Sequence, residues 1–177
     1  MPKLVLLNGP PGVGKSTLAR RYADEHPLTL DLEIDIVRAM VGCWLEEWQH
    51  SGPQARRLAL AMARTHLGRG HDVMVPQLLT RREFVKELQA MAADVGATFH
   101  EITLLDEKDA VLRRLEERRE PSGDFSARAL VEEQGNSLEE AYDRFVEALQ
   151  SRPDAVVISA SSTEDAYAAL LRQLDET

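Results

Sequence analysis

The chain has 177 residues, 44% of them hydrophobic, and sets 30 acidic side chains against 21 basic ones for a formal charge of −9. That length suits a single domain, residues 1–177, with a real core, and the negative field repels nucleic-acid phosphates and so argues against a broad nucleic-acid surface. The apolar run at residues 4–7 is too short for a signal peptide or a membrane span, and the lone cysteine, Cys43, excludes an internal disulfide, as suits a reducing cytoplasm.

The first element in the chain is a short buried strand over residues 3–8, followed by a helix over 15–25. "LTLDLEID" alternates strictly, with Leu28, Leu30, Leu32 and Ile34 on one side and Thr29, Asp31, Glu33 and Asp35 on the other, and predicts a second strand. Helices over 36–50 and 53–69 come next, divided by "SGP". Cys43 sits among apolar neighbours in "MVGCWLEEW" and reads as a buried, inert thiol. "DVMVP" is a third strand, and the amphipathic stretch 80–96 is a helix closed by Gly96. "TFHEITLL" forms a fourth strand, 107–119 a helix, and "EPSGDFS" a turn-rich break. Helical segments near 126–134 and 137–151, a fifth strand "AVVIS" and a last helix from Thr163 complete the pattern. Five strands interleaved with helices predict a three-layer α/β/α fold around a five-stranded parallel sheet. In such sheets ligands bind beyond the carboxyl ends of the strands.

"GPPGVGKS" at residues 9–16 fits G-x-x-x-x-G-K-[ST] and has a strand before it and a helix after it. Glycines let the loop curl so that successive N–H groups, those of Gly9, Gly12, Val13 and Gly14 among them, face phosphate oxygens, with the helix dipole behind. Lys15 would reach the β- and γ-phosphates, Ser16 would bind Mg²⁺, and Thr17 would meet the α-phosphate. A nucleoside triphosphate, taken to be ATP, and Mg²⁺ are therefore the expected cofactors. The loop alone does not choose between hydrolysis and transfer.

"LEIDIVR" supplies the second half of a site. Side chains two apart on a strand share a face, and Glu33 and Asp35 lie nearest the carboxyl end. A carboxylate there can take the proton of an attacking hydroxyl or hold a Mg²⁺-bound water. Arg38 can grip an anionic part of an acceptor. At the end of the third strand Pro76 and Gln77 stand where many P-loop proteins carry an Asp, and Asp72 lies at the opposite end. The metal role then falls to the second-strand carboxylates, and Gln77 is either an acceptor contact or a solvated loop residue.

"GPPGVGKST" followed by "LEIDIVR" resembles the small P-loop kinases of the nucleoside-monophosphate-kinase-like group, such as adenylylsulfate, gluconate and shikimate kinases and chloramphenicol phosphotransferase. The resemblance implies that Asp35 is the general base or acceptor-binding carboxylate, that Glu33 serves Mg²⁺ or the acceptor, and that Arg38 binds the acceptor. Glu33 stands where those kinases usually have Asp. It also implies a helical lid over about 118–136, opened by "RLEER", in which Arg114 and Arg118 clamp the phosphates and Arg119 stands in reserve. The segment "ISASSTED" would then edge the adenine.

The implied activity is transfer of the γ-phosphoryl group of ATP to a hydroxyl of a small molecule, with Lys15, Asp35 and Arg118 at the reacting centre. Nucleic acid and membrane are not expected partners, and the oligomeric state is open. A 5′-hydroxyl polynucleotide kinase and a non-catalytic ATP-binding switch are the other readings. Trp44 and Trp48, four apart, form either an aromatic wall for an acceptor or the packed face of a helix.

Overall fold

The computed structural model describes residues 1–117, 137–152 and 155–175. Its five strands are β1 (Lys3–Asn8), β2 (Leu30–Asp31), β3 (Val73–Pro76), β4 (Thr98–Leu105) and β5 (Val156–Ser159). They pair in parallel, in the order β2-β3-β1-β4-β5. Seven helices are present among the described residues: α1 (Lys15–Glu25), α2 (Ile34–Ala39), α3 (Trp48–Leu67), α4 (Arg82–Asp94), α5 (Lys108–Glu117), α6 (Leu138–Gln150) and α7 (Thr163–Asp175).

Alternation along β1 sends Leu4 and Leu6 to one face of the sheet and Val5 and Leu7 to the other, all four without solvent contact. On the first face α3 packs through Ala55, Ala59 and Ala63, whose spacing of four keeps small side chains on one stripe and lets the helix approach closely. Phe84, Val85 and Leu88 of α4 complete that layer. On the second face lie Leu18 and Tyr22 of α1, Val111 and Leu115 of α5, and Tyr167 and Leu170 of α7. Both faces are covered, so β1 and β3 read as continuous apolar runs. With β3 on one side of β1 and β4 on the other, the loop leaving β1 opens at the point where connections diverge, the usual place for a ligand crevice.

Three sequence expectations are corrected. The second strand ends at Asp31 instead of running over 28–35, and α2 begins at Ile34. Leu30 and Leu32 donate to the carbonyls of Asp72 and Met74, and the next rung would need an N–H at residue 76, which is Pro76. The ladder stops there, and Ile34 and Val37 bury themselves at helical spacing instead. The expected helix break at "SGP" lies inside α3, with Pro53 in its second turn, and the real break falls earlier, over 40–47. Cys43 is exposed in that break, with φ 53°, and is not buried. Among the described residues no helix is long and apolar enough to cross a membrane. The lid region 118–136, with Arg118 and Arg119, lies outside the described residues.

His100 on β4 is 9% exposed and shares a 3.0 Å hydrogen bond with Thr98 Oγ1. Burial and the nearby Lys3 cation lower its pKa, with Asp72 opposing them. A histidine lowered in the folded state binds protons better when unfolded, so its stabilising effect is complete above the unfolded value and is lost as pH falls through the folded one. His100→Gln should therefore shrink the fall in Tm between pH 7.5 and 5 by about 2–4 °C, read by thermal melts of both proteins.

Candidate active site

The loop between β1 and α1 is shaped by what surrounds it. Gly9 has φ 148°, and a Cβ there would fall 2.5 Å from the Leu104 carbonyl oxygen, so only glycine fits. Gly14 caps α1 with φ 99° and leaves the helix N–H groups uncovered toward the cleft. Val13 turns its side chain into the core, and so contributes only main chain. Lys15 Nζ donates to the carbonyls of Gly9 at 2.9 Å and Pro10 at 2.8 Å, holding its charge over the loop.

The acidic stretch meets this loop even though it is not one strand. Glu33 is the N-cap of α2, and its Oε2 accepts from Ser16 Oγ at 3.1 Å. These hard oxygen donors suit Mg²⁺, which binds through one or two carboxylates plus phosphate and water oxygens. Among the described residues no cluster of three or more His, Cys, Asp or Glu could hold a metal by itself. Asp35, in the first turn of α2, has its pKa raised, chiefly by burial. Arg38 and Lys15 oppose the shift, Glu33 adds to it, and a hydrogen bond from the Gln77 amide opposes it again. The Gln77 Oε1 is buried without a partner. Asp31 does not join this group: its Oδ1 is a buried orphan, and burial and Glu33 push its carboxyl up to about 6.

Arg38 is 6% exposed. Its Nε donates to Ser51 Oγ at 2.9 Å, its Nη2 donates to the Trp48 carbonyl, and its guanidinium lies 3.3 Å from the Trp48 ring centroid. Gly52 lies against the same guanidinium, where even a Cβ would meet it at an ordinary contact distance of 3.5 Å. Trp48 is thus the seat of Arg38, and Trp44 packs beside it at 5.9 Å.

A buried polar network that sequence reasoning missed sets the position of the opposite wall. Asn8 Oδ1 accepts from the N–H groups of Gly9 and Leu79, both at 2.9 Å, and its Nδ2 donates to the Leu79 carbonyl at 3.0 Å. Arg152, 6% exposed, donates to Glu101 at 2.6 Å and to the Leu79 and Thr80 carbonyls at 3.1 and 3.0 Å. The only signal in the sequence is an Asn ending an apolar strand.

These elements enclose one cavity of 680 Å³. Gly12, Gly14, Lys15, Ser16 and Thr17 line it together with Glu33, Asp35, Arg38 and Gln77. Four arginines that sequence reasoning passed over, Arg56 and Arg57 on α3, Arg81 before α4 and Arg144 on α6, line the same cavity. Arg114 is not among the lining residues. It is held by Asp106 at 2.5 Å and by the Ala160 carbonyl at 3.4 Å, beside the segment that follows β5.

A family profile described as an AAA domain matches residues 4–145. No curated protein matches the chain. Among solved structures, a Deinococcus radiodurans tunicamycin resistance protein is similar at 22% identity, TM-score 0.63, over 98% of this chain and 96% of that one. A Mycobacterium tuberculosis APS kinase, solved with AMPPNP and APS, is similar at 21% identity, TM-score 0.65, over 99% and 98%. A Sinorhizobium meliloti gluconokinase follows at 17% identity, TM-score 0.60, over 99% and 94%. At these identities the likeness establishes the fold, that of P-loop kinases.

Asn8→Ala would leave two buried N–H groups unpaired, at a cost of about 2–4 kcal/mol. A melt should show Tm lower by roughly 6–12 °C, with nucleotide affinity reduced in the protein that remains folded.

Proposed function

Because the chain belongs to the AAA-domain family, with the fold of P-loop kinases, we propose that it is an ATP-dependent phosphotransferase that moves the γ-phosphoryl group to a hydroxyl of a small molecule. One observation carries the reading: the phosphate loop and the half-buried Asp35 line the same cavity, whose 680 Å³ leaves room for a second compound beside a nucleotide.

The main-chain N–H groups of the loop, Lys15 and the start of α1 would hold the triphosphate and neutralise charge as it develops. Ser16 and Glu33 would hold Mg²⁺, which when bound shields the phosphate oxygens. Thr17 borders the same pocket. Asp35 would accept the proton of the acceptor hydroxyl while that oxygen forms its bond to the γ-phosphorus and the bond to the ADP oxygen breaks. A carboxylate raised by burial is a stronger base than one in water, and Gln77 fixes its direction through the amide bond. Arg38, seated on Trp48, keeps a cation beside the ionised Asp35. Arg114 would serve the nucleotide from α5, and Arg118, outside the described residues, would join it. AMPPNP in the similar APS kinase supports ATP as donor.

Asp35→Asn should lower kcat by about 10²–10⁴ while ATP still binds, and Lys15→Ala should abolish ATP binding. Because Asp35 must be ionised to act, the acid limb of the kcat/KM profile should lie above the ordinary carboxylate range. Full transfer by Asp35→Asn, measured as ADP formed with a hydroxyl acceptor, would remove Asp35 from the base role.

A further inference from the structure

Much of the charge lining the cavity runs against the charge of the whole protein. Arg56, Arg57, Arg81 and Arg144 line it, with Glu83 and Glu87 as the only carboxylates beyond Glu33 and Asp35 among the described residues. The total charge of the chain is −9. None of the four arginines makes a side-chain hydrogen bond or an ion pair with a described residue, and the Nη2 of Arg144 is buried without a partner.

Surface arginines on helices are usually laced to acids three or four residues away. On α1 that is what happens: Arg20 pairs with Asp24 and Arg21 with Glu25. On α3 it cannot happen, because the helix from Trp48 to Leu67 contains no Asp or Glu. Arg56 and Arg57 therefore face the cleft with no helical partner. Arg144 has Glu140 and Glu147 within helical reach, but Glu140 is taken by the capping box with Ser137 at the start of α6, and Arg144 pairs with neither. Arg81 is held in place from behind, since Arg152 binds the carbonyls of the two preceding residues. Three separate elements thus bring arginines to the wall of one cavity, and a buried unpaired N–H at Arg144 is costly unless a ligand accepts it.

We propose that this wall is an anion-binding subsite, and that the acceptor is a hydroxyl compound carrying a carboxylate, sulfate or phosphate group apart from its reacting hydroxyl. Forked guanidinium donors match the oxygen geometry of all three groups. Arg144 and Arg81 take the anion, and Arg56 and Arg57 draw it into the mouth of the cavity. The assignment of the acceptor rests on the phosphotransferase reading; the anion subsite itself does not.

The test separates the two. Protein saturated with ADP and Mg²⁺ is titrated with sulfate at constant ionic strength, read by the fluorescence of Trp48 and Trp44 beneath Arg38. A saturable change is expected, weakened about tenfold in Arg144→Gln and in the exposed double variant Arg56→Gln/Arg57→Gln. No saturation, or equal affinity in parent and both variants, overturns the subsite. ADP formation is then compared within matched pairs: a hydroxy acid and its amide, a polyol phosphate and its polyol. The anionic member of a pair should be preferred at least about tenfold in kcat/KM, with the preference reduced in both variants. Equal rates for neutral partners overturn the anionic acceptor and leave phosphotransfer standing. Sulfate binding with no ADP formation from any compound overturns phosphotransfer and leaves the subsite standing.

Discussion

Asn8 has no solvent contact, and its side chain holds main chain on both sides of the crevice: Gly9 at the start of the phosphate loop and Leu79 in the loop after β3. Parallel strands that end at a ligand crevice leave peptide groups with no neighbour to bond, and burial makes such groups expensive. One amide answers that need here, and in doing so it ties the start of the phosphate loop to the loop after β3. Arg152 repeats the device from the junction of α6 and β5, binding Leu79, Thr80 and Glu101. The positions of Gln77 and Arg81 depend on these two side chains, although neither lines the cavity.

Within that frame both signs of charge line one cleft. Lys15, the uncovered N–H groups of α1 and Arg56, Arg57, Arg81 and Arg144 are positive, and Glu33 and Asp35 are negative. Burial makes a carboxylate costly there, and the raised pKa of Asp35 reports that cost. Arg38 offsets part of it from a rigid seat, since Ser51 and Trp48 hold its guanidinium through hydrogen bonds and ring contact. The break over 40–47 and the start of α3 matter for this reason: they bring Trp48 back under an arginine ten residues earlier.

The motif-bearing parts were legible because their physics is local. A strand, a glycine-rich turn and a helix start are written within sixteen residues, and Gln77 follows from its place after β3. Glu33 and Asp35 stand out as acids beside the phosphate loop motif even though they lie at the start of α2 and not on a strand. The form of the acidic stretch was not legible. Its strict alternation satisfies a strand, and its Ile34 and Val37 equally satisfy a helix face. The choice was made by Pro76 on the neighbouring strand, which has no N–H for the next rung. Cys43 went astray for a related reason, because apolar neighbours in sequence do not bury a residue that sits in a break between two helices.

What the sequence alone determined is the α/β order, the parallel sheet, the phosphate loop and the carboxylates facing it, all of which rest on spacings of a few residues. The tertiary structure alone decided what stands across the cleft. Arg56, Arg57, Arg81 and Arg144 belong to three elements up to 88 positions apart, and nothing in their local sequence marks them. They converge because α3 and the loop before α4 sit beside one end of the sheet and α6 returns to that end. Phosphate recognition uses consecutive main-chain groups and so leaves a motif. The cavity arginines are gathered by packing, and packing leaves no fixed spacing to read.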